Sequence, residues 1–124
     1  MAKKHNPGFL KLVDAAKERI QEASVEEVLA WRAEGKPFHL VDVREDHEFE
    51  RDRCAGALHL GKGIIERDIE TRIPDKGGLI VLYCGGGFRS ALAADAVQAM
   101  GYADVRSLAG GIRAWRAADA PLES

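Results

Sequence analysis

The stretch LIVLYCGGGFRSALAA, residues 79–94, decides the architecture of this chain. The apolar run Leu79–Tyr83 has the composition of a buried strand, and the glycine-rich run after it leads into an alanine-rich helix. Strand, loop and helix in this order are the unit from which parallel sheets are built. A cysteine, Cys84, opens the loop and an arginine, Arg89, closes it.

The loop between Cys84 and Arg89 has the composition of an anion-binding cradle. Its successive glycines can adopt positive φ and turn their backbone N–H groups inward. The helix after the loop adds the positive end of its dipole, which favours negative charge. A cysteine at this point is expected to react as a thiolate, so Cys84 is the candidate catalytic residue. The candidate substrate-binding residues are Gly85, Gly86, Gly87, Phe88, Arg89 and Ser90.

Strand and helix patterns alternate along the rest of the chain, which predicts an α/β fold. We expect a single domain with a central parallel sheet and helices on both faces. Ser24 and Glu27 have the spacing of a capping box, which predicts a helix start. The predicted strands are 38–43, 57–60, 79–83 and 104–108. The predicted helices are 8–22, 25–34, 45–51, 64–71, 89–100 and 112–118.

The composition argues against several broad classes of protein. A formal net charge of −2, from 18 basic and 20 acidic residues, is not that of a general nucleic-acid binder. No apolar run could span a bilayer and no signal peptide is evident, so a cytoplasmic protein without membrane contact is expected. Two cysteines give no disulfide framework, and four histidines without ligand spacing predict no metal site.

Several motifs, taken in chain order, resemble those of the rhodanese family of sulfurtransferases. The matching segments are VDVRE at 41–45 with Glu48 and Phe49, Gly56 with Ala57, the loop at 84–90, and LAGG at 108–111 with Trp115. The resemblance covers about residues 24–121 and is to the single-domain members rather than the tandem ones. It implies a rhodanese-like single domain over 23–124. The apolar spacing of the residues before this domain predicts an N-terminal amphipathic helical extension over 1–22.

The resemblance implies a sulfurtransferase that works in two steps and needs no cofactor. In the first step the Cys84 thiolate takes the outer sulfur of a small donor, thiosulfate or a persulfide, and becomes a persulfide itself. In the second step a thiol or cyanide acceptor removes that sulfur. The same resemblance implies weak thiosulfate binding, because Glu48 stands where tandem members often carry a basic residue.

Other functions of the same cysteine stay open. One is a phosphatase or arsenate reductase, and another is a persulfide-binding module with low turnover. The loop has six residues from Cys84 to Arg89, one fewer than in the related dual-specificity phosphatases, which favours a single sulfur atom over a tetrahedral phosphate. A plain turn around a buried cysteine is the structural alternative. The combination of cysteine, glycines, arginine and serine argues against it.

Three further features carry alternatives that the sequence leaves open. Asp42 and Arg44 are candidate supporting residues at the active-site end of a strand, or else a structural ion pair. Cys54 is a candidate resolving thiol for Cys84, or else a core residue. The predicted helix at 8–22 can pack on the domain or mediate a homodimer through its apolar stripe.

Overall fold

The computed structural model describes residues 4–124 and shows an α/β fold. The strands are β1 (Gln21–Ala23), β2 (His39–Asp42), β3 (Arg53–Cys54), β4 (Leu58–His59), β5 (Leu79–Tyr83), β6 (Asp104–Leu108) and β7 (Leu122–Glu123). The helices are α1 (Pro7–Lys17), α2 (Val25–Ala33), α3 (Asp46–Arg51), α4 (Ile65–Arg72), α5 (Phe88–Ala99) and α6 (Gly111–Ala117). Five strands form a parallel sheet in the order β1-β6-β5-β2-β4. Within residues 4–124, no helix combines the length and apolar character needed to cross a bilayer.

Strand β5 lies in the middle of the sheet, and every one of its residues is buried. Successive side chains of a strand point to opposite faces, so β5 contributes to two cores. Ile80 and Leu82 pack on one face with residues of α4 and α5. Val81 and Tyr83 pack on the other face with residues of α2 and α6. The predicted fold class, a parallel sheet with helices on both faces, is therefore confirmed.

The predicted capping box at the start of α2 is confirmed. The Glu27 N–H donates to Ser24 Oγ at 3.1 Å, and the Ser24 N–H donates to Glu27 Oε1 at 3.0 Å. This reciprocal pair satisfies two backbone donors that a helix start otherwise leaves without partners. The cap fixes where the chain turns from β1 into α2.

The N-terminal helix ends earlier than the sequence indicated. Helix α1 ends at Lys17, and Gln21–Ala23 form the edge strand β1, parallel to β6. The prediction of helix over 8–22 was therefore wrong for its last residues. The Ala109 N–H donates to the Ala23 carbonyl at 2.8 Å, which extends this pairing. Because the partner strand is distant in sequence, local helical spacing gives no sign of it.

Strands β3 and β7 form a second, antiparallel pair that the sequence did not indicate. Arg53 lies opposite Glu123, and Cys54 lies opposite Leu122. Each strand has only 2 residues, which is too short for an alternating pattern to be recognised. The pair ties the end of the chain to the segment between α3 and β4.

Helix α1 lies against α5 on the outside of the domain. Val13 and Ala16 are fully buried in this contact. Arg19, just beyond the helix, forms a two-pronged ion pair with Asp95 of α5, at 2.9 and 2.7 Å. Val13 and Ala16 of the apolar stripe are thus covered by the chain itself, whereas Leu12 is 62% exposed, and a homodimer through this helix stays a prediction. Residues 1–3 of the expected extension lie outside the described residues.

Candidate active site

The loop after β5 holds the Cys84 sulfur inside a backbone cradle. The cysteine follows the carboxyl end of the central strand and is only 1% exposed. Gly87 has a φ of +99°, which a residue with a side chain rarely adopts, and this turns its N–H toward the sulfur. The N–H groups of Gly87 and Ser90 donate to Cys84 Sγ at 3.2 and 3.4 Å. The sulfur is therefore held among backbone hydrogen-bond donors.

Two buried hydroxyl groups lie behind the sulfur. Ser90 Oγ is 3.5 Å from Cys84 Sγ and 2.8 Å from Ser107 Oγ, and both serines are fully buried. The sequence analysis singled out Ser90 but not Ser107, which comes from the neighbouring strand β6. Nothing in the local pattern of β6 marks this serine, because its significance depends on the pairing of β5 with β6.

Arg89 is paired with a carboxylate at the mouth of the loop. Its guanidinium donates to Glu48 of α3 at 2.9 and 3.4 Å. Partial burial raises the pKa of Glu48, but hydrogen bonds from Arg89 and the Glu45 N–H outweigh it, so the pKa lies below its usual value. The stabilising effect of Glu48 is present above the ordinary carboxyl pKa and is lost only as the pH falls through the lowered value.

The start of α6 closes over the loop from the other side. The N–H groups of Ile112 and Arg113 donate to the carbonyl groups of Cys84 and Gly85, at 2.9 and 3.1 Å. This contact requires a glycine at Gly111, which has a φ of +57°. A Cβ atom there would lie 2.5 Å from the Cys84 carbonyl oxygen. Gly111, the first residue of α6, therefore allows α6 to pack against the loop.

A cleft of about 520 Å³ opens beside the loop. Its lining includes Cys84 and most of the sequence-predicted loop residues, but neither Asp42 nor Arg44. The lining residues are Lys4, His5, Asn6, Phe9, Glu48, Cys84, Gly85, Gly86, Phe88, Arg89 and Arg113. The sequence analysis missed the N-terminal group and Arg113, since long-range packing brings them here. Among residues 4–124, no group of at least 3 His, Cys, Asp or Glu side chains could hold a metal ion.

Asp42 and Arg44 form a buried ion pair beside the loop rather than in it. The side chains are 0% and 4% exposed, and Arg44 Nη2 lies 2.8 Å from Asp42 Oδ2. The Arg44 N–H also donates to Asp42 at 2.8 Å, and its guanidinium donates to the Asp52 carbonyl. The pair thus fixes the chain where it leaves β2. Its supporting role in the reaction stays a prediction.

Cys54 belongs to the core on the opposite face of the sheet from Cys84. Its side chain is fully buried, and its N–H donates to the Tyr83 hydroxyl at 3.1 Å. Burial raises the pKa of the Cys54 thiol to about 12, which keeps it protonated at neutral pH. Both cysteines are free. The position favours a packing role for Cys54 over that of a resolving thiol.

A central parallel strand followed by a cysteine, with backbone donors and a helix start around the sulfur, defines an α/β domain with a candidate cysteine-centred active site. The order of its motifs and its topology agree with one family. The chain belongs to the Rhodanese-like domain family, which matches residues 24–118.

Individual relatives agree with this assignment. The thiosulfate sulfurtransferase PspE of Escherichia coli K12 is 31% identical over 75 residues, 60% of this chain and 71% of that protein. The thiosulfate sulfurtransferase GlpE of Vibrio cholerae is 32% identical over 91 residues, 73% of this chain and 84% of that protein. A solved structure from Rhodopseudomonas palustris, described as a protein of unknown function and possible tyrosine phosphatase, has a TM-score of 0.86 and 30% identity. It covers 99% of both chains, so the likeness includes α1.

Proposed function

We propose that the chain is a sulfurtransferase in which Cys84 carries a sulfane sulfur as a persulfide. The observation that supports this most is the cradle, in which the N–H groups of Gly87 and Ser90 point at Cys84 Sγ. Relatives such as PspE and GlpE are named thiosulfate sulfurtransferases, which supports the same class of reaction.

The reaction has two displacement steps at sulfur. The Cys84 thiolate attacks the outer sulfur of thiosulfate, an S–S bond forms, and sulfite leaves with the electron pair of the broken S–S bond. With an organic persulfide as donor, a thiolate leaves instead. A thiolate or cyanide then attacks the terminal sulfur, and Cys84 leaves as the thiolate. Preorganised N–H donors stabilise the anionic terminal sulfur between the steps, as an oxyanion hole stabilises its anion.

A phosphatase is the second candidate, favoured by the description of the Rhodopseudomonas palustris protein. Phosphate recognition by arginine uses both arms of the guanidinium fork. Here Glu48 occupies the fork of Arg89, and its carboxylate repels a phosphate dianion. The six-residue loop from Cys84 to Arg89 also argues against a phosphatase, because its length favours a single sulfur atom over a tetrahedral phosphate.

An assay with an aryl phosphate distinguishes a phosphatase from a sulfurtransferase. We expect hydrolysis of an aryl phosphate to stay at the background of Cys84→Ser, while the same preparation transfers sulfur from thiosulfate to cyanide. Turnover of the aryl phosphate at a rate comparable to sulfur transfer would overturn the assignment. A persulfide-binding module with low turnover would instead load one sulfur per chain and release it only slowly to either acceptor.

The close approach of α6 to the loop gives a second test. Gly111→Ala places a methyl group against the Cys84 carbonyl and should displace the loop. Displacements of about 1 Å at an active site can cost roughly 100-fold in rate, and we expect a loss of kcat/KM of that order. Gly63→Ala is the matched control, because nothing lies within 4 Å of a Cβ at that position. Near-normal activity of Gly111→Ala would show that α6 does not position the loop.

The Arg89–Glu48 pair bears on the choice of donor. Glu48→Gln removes the negative charge beside Arg89 and should raise the kcat/KM ratio of thiosulfate to an organic persulfide by about 2- to 5-fold, since a partly exposed ion pair is worth up to about 1 kcal/mol. The lowered pKa of Glu48 keeps the carboxylate charged, so this difference should persist from about pH 8 to about pH 5.

The control for this comparison is Glu50→Gln, which removes an exposed carboxylate from the same helix away from the cleft. Its kcat/KM ratio should equal that of the wild type. An unchanged ratio in Glu48→Gln, or a wild-type preference for thiosulfate over the persulfide, would contradict the role given to Glu48.

A further inference from the structure

Part of the cleft wall comes from a segment that the family match does not include. Lys4, His5, Asn6 and Phe9 line the cleft together with Cys84, whereas the match begins at residue 24. The rings of His5 and Phe88 lie 4.3 Å apart, and those of Phe9 and Phe88 lie 6.3 Å apart. The segment before and at the start of α1 is therefore in contact with Phe88, which begins α5 and lies between the two cradle residues Gly87 and Ser90.

The rest of α1 anchors this wall to the domain. Val13 and Ala16 are fully buried, and Arg19 pairs with Asp95 through two hydrogen bonds. The Gln98 side chain donates to the Arg19 carbonyl at 3.0 Å. Because none of these contacts involves Lys4 or His5, we expect changes to those two residues to leave the docking of α1 in place.

The volume of the cleft exceeds what the smallest substrates need. Pockets for organic ligands have volumes of about 300–1,000 Å³, and this cleft, at about 520 Å³, lies within that range. Thiosulfate or cyanide would fill only a small part of it. The aromatic surfaces of His5, Phe9 and Phe88 offer contact area to a carbon skeleton.

The charges of the cleft wall favour an anionic ligand. The guanidinium of Arg89, beside Gly85, is engaged by Glu48. Lys4 and Arg113 also line the cleft, and within residues 4–124 neither has a carboxylate within 4.0 Å. The cations left for a ligand are therefore those of the N-terminal wall and of α6.

We infer that Lys4, His5 and Phe9, together with Arg113, form a subsite for an organic thiol that carries carboxylates. The carbon skeleton of this thiol lies against the aromatic rings, and its carboxylates pair with the two cations. Its thiolate then attacks the terminal sulfur of the Cys84 persulfide, the S–S bond to Cys84 breaks, and the thiol leaves as a persulfide. This inference rests on the proposed function for the chemistry, but the binding itself does not require turnover.

The first test measures binding without reaction. S-methylglutathione, a tripeptide with carboxylates at both ends and a blocked sulfur, is titrated into the full-length protein in a calorimeter. We expect the double variant Lys4→Ala/His5→Ala to bind it at least about 5-fold more weakly than the wild type, whereas Lys11→Ala, which removes an exposed cation of α1 away from the cleft, should bind normally. Equal affinity of double variant and wild type, or no binding to the wild type, overturns the inference.

The second test measures selectivity between acceptors. With thiosulfate as donor, the kcat/KM ratio of glutathione to cyanide should fall at least about 5-fold in the double variant and stay normal in Lys11→Ala. If the double variant fails to fold, the single variant Lys4→Glu, at an exposed position, takes its place. It should lower the ratio of glutathione to cyanide further, because it reverses the charge. An unchanged ratio overturns the subsite. If the wild type transfers no sulfur at all, the proposed function fails, and the calorimetric result alone decides the subsite.

Discussion

Replacing Cys84 by serine is expected to abolish sulfur transfer, with kcat falling by at least about 10³-fold, as loss of a catalytic nucleophile does. The serine hydroxyl is smaller than the thiol, so it fits within the cradle of Gly87 and Ser90. The serine hydroxyl is not ionised at neutral pH, and it forms no persulfide. The rate of thiocyanate formation from thiosulfate and cyanide measures the loss.

The matched control is Cys54→Ser. Cys54 is buried on the other face of the sheet, and burial raises its thiol pKa to about 12, so it takes no part in nucleophilic chemistry at neutral pH. We expect this variant to retain most of the wild-type rate. In the folded wild type, iodoacetamide should label Cys84 and leave Cys54 unmodified. Substantial activity in Cys84→Ser, or its loss in Cys54→Ser, would contradict the assignment of the nucleophile.

Asp42→Ala is expected to lower the free energy of unfolding by about 3–5 kcal/mol, because it leaves the buried Arg44 guanidinium without its carboxylate. Domains of this size are stable by only about 5–15 kcal/mol, so the loss is a large share of the total. Urea denaturation followed by circular dichroism gives the difference. The ion pair is 0% and 4% exposed, so solvent does not replace the missing partner.

The double variant Asp42→Leu/Arg44→Met separates loss of a partner from loss of packing. Replacing both members of a buried ion pair by apolar side chains is often neutral or stabilising, so we expect the double variant to regain at least about half of the lost free energy. The control is the ion pair between Arg116 and Asp52, which has a similar N···O distance but is more exposed. Asp52→Ala should lower the free energy of unfolding by less than about 1 kcal/mol. A small effect of Asp42→Ala would mean that the pair does not hold the end of β2.

The central strand, the loop and the capping box could be predicted from sequence because each depends on neighbours along the chain. Leu79–Tyr83 is apolar throughout, and that is the pattern of a strand buried on both faces. The backbone N–H groups of Ser24 and Glu27 each donate to the side chain of the other residue within one turn of helix. The location of Cys84 at the carboxyl end of β5 follows directly from the order of strand and loop.

The parts of the site that sequence reasoning missed depend on packing between distant segments. Ser107 reaches the cradle only because β6 pairs with β5, and Arg113 only because α6 docks on the loop. Lys4 and His5 reach the cleft because α1 packs on α5. The early end of α1 has the same origin, since Gln21–Ala23 gain hydrogen bonds from β6 that no local pattern reveals.

The most direct measurement of the central claim is the intact mass of the protein after incubation with thiosulfate, before and after addition of cyanide. A sulfurtransferase that works through a Cys84 persulfide should gain the mass of one sulfur atom and lose it again when cyanide is added. Cys84→Ser should show no change, and Cys54→Ser should behave as the wild type does. Absence of the added mass with thiosulfate and with an organic persulfide, or its persistence in Cys84→Ser, would contradict the account.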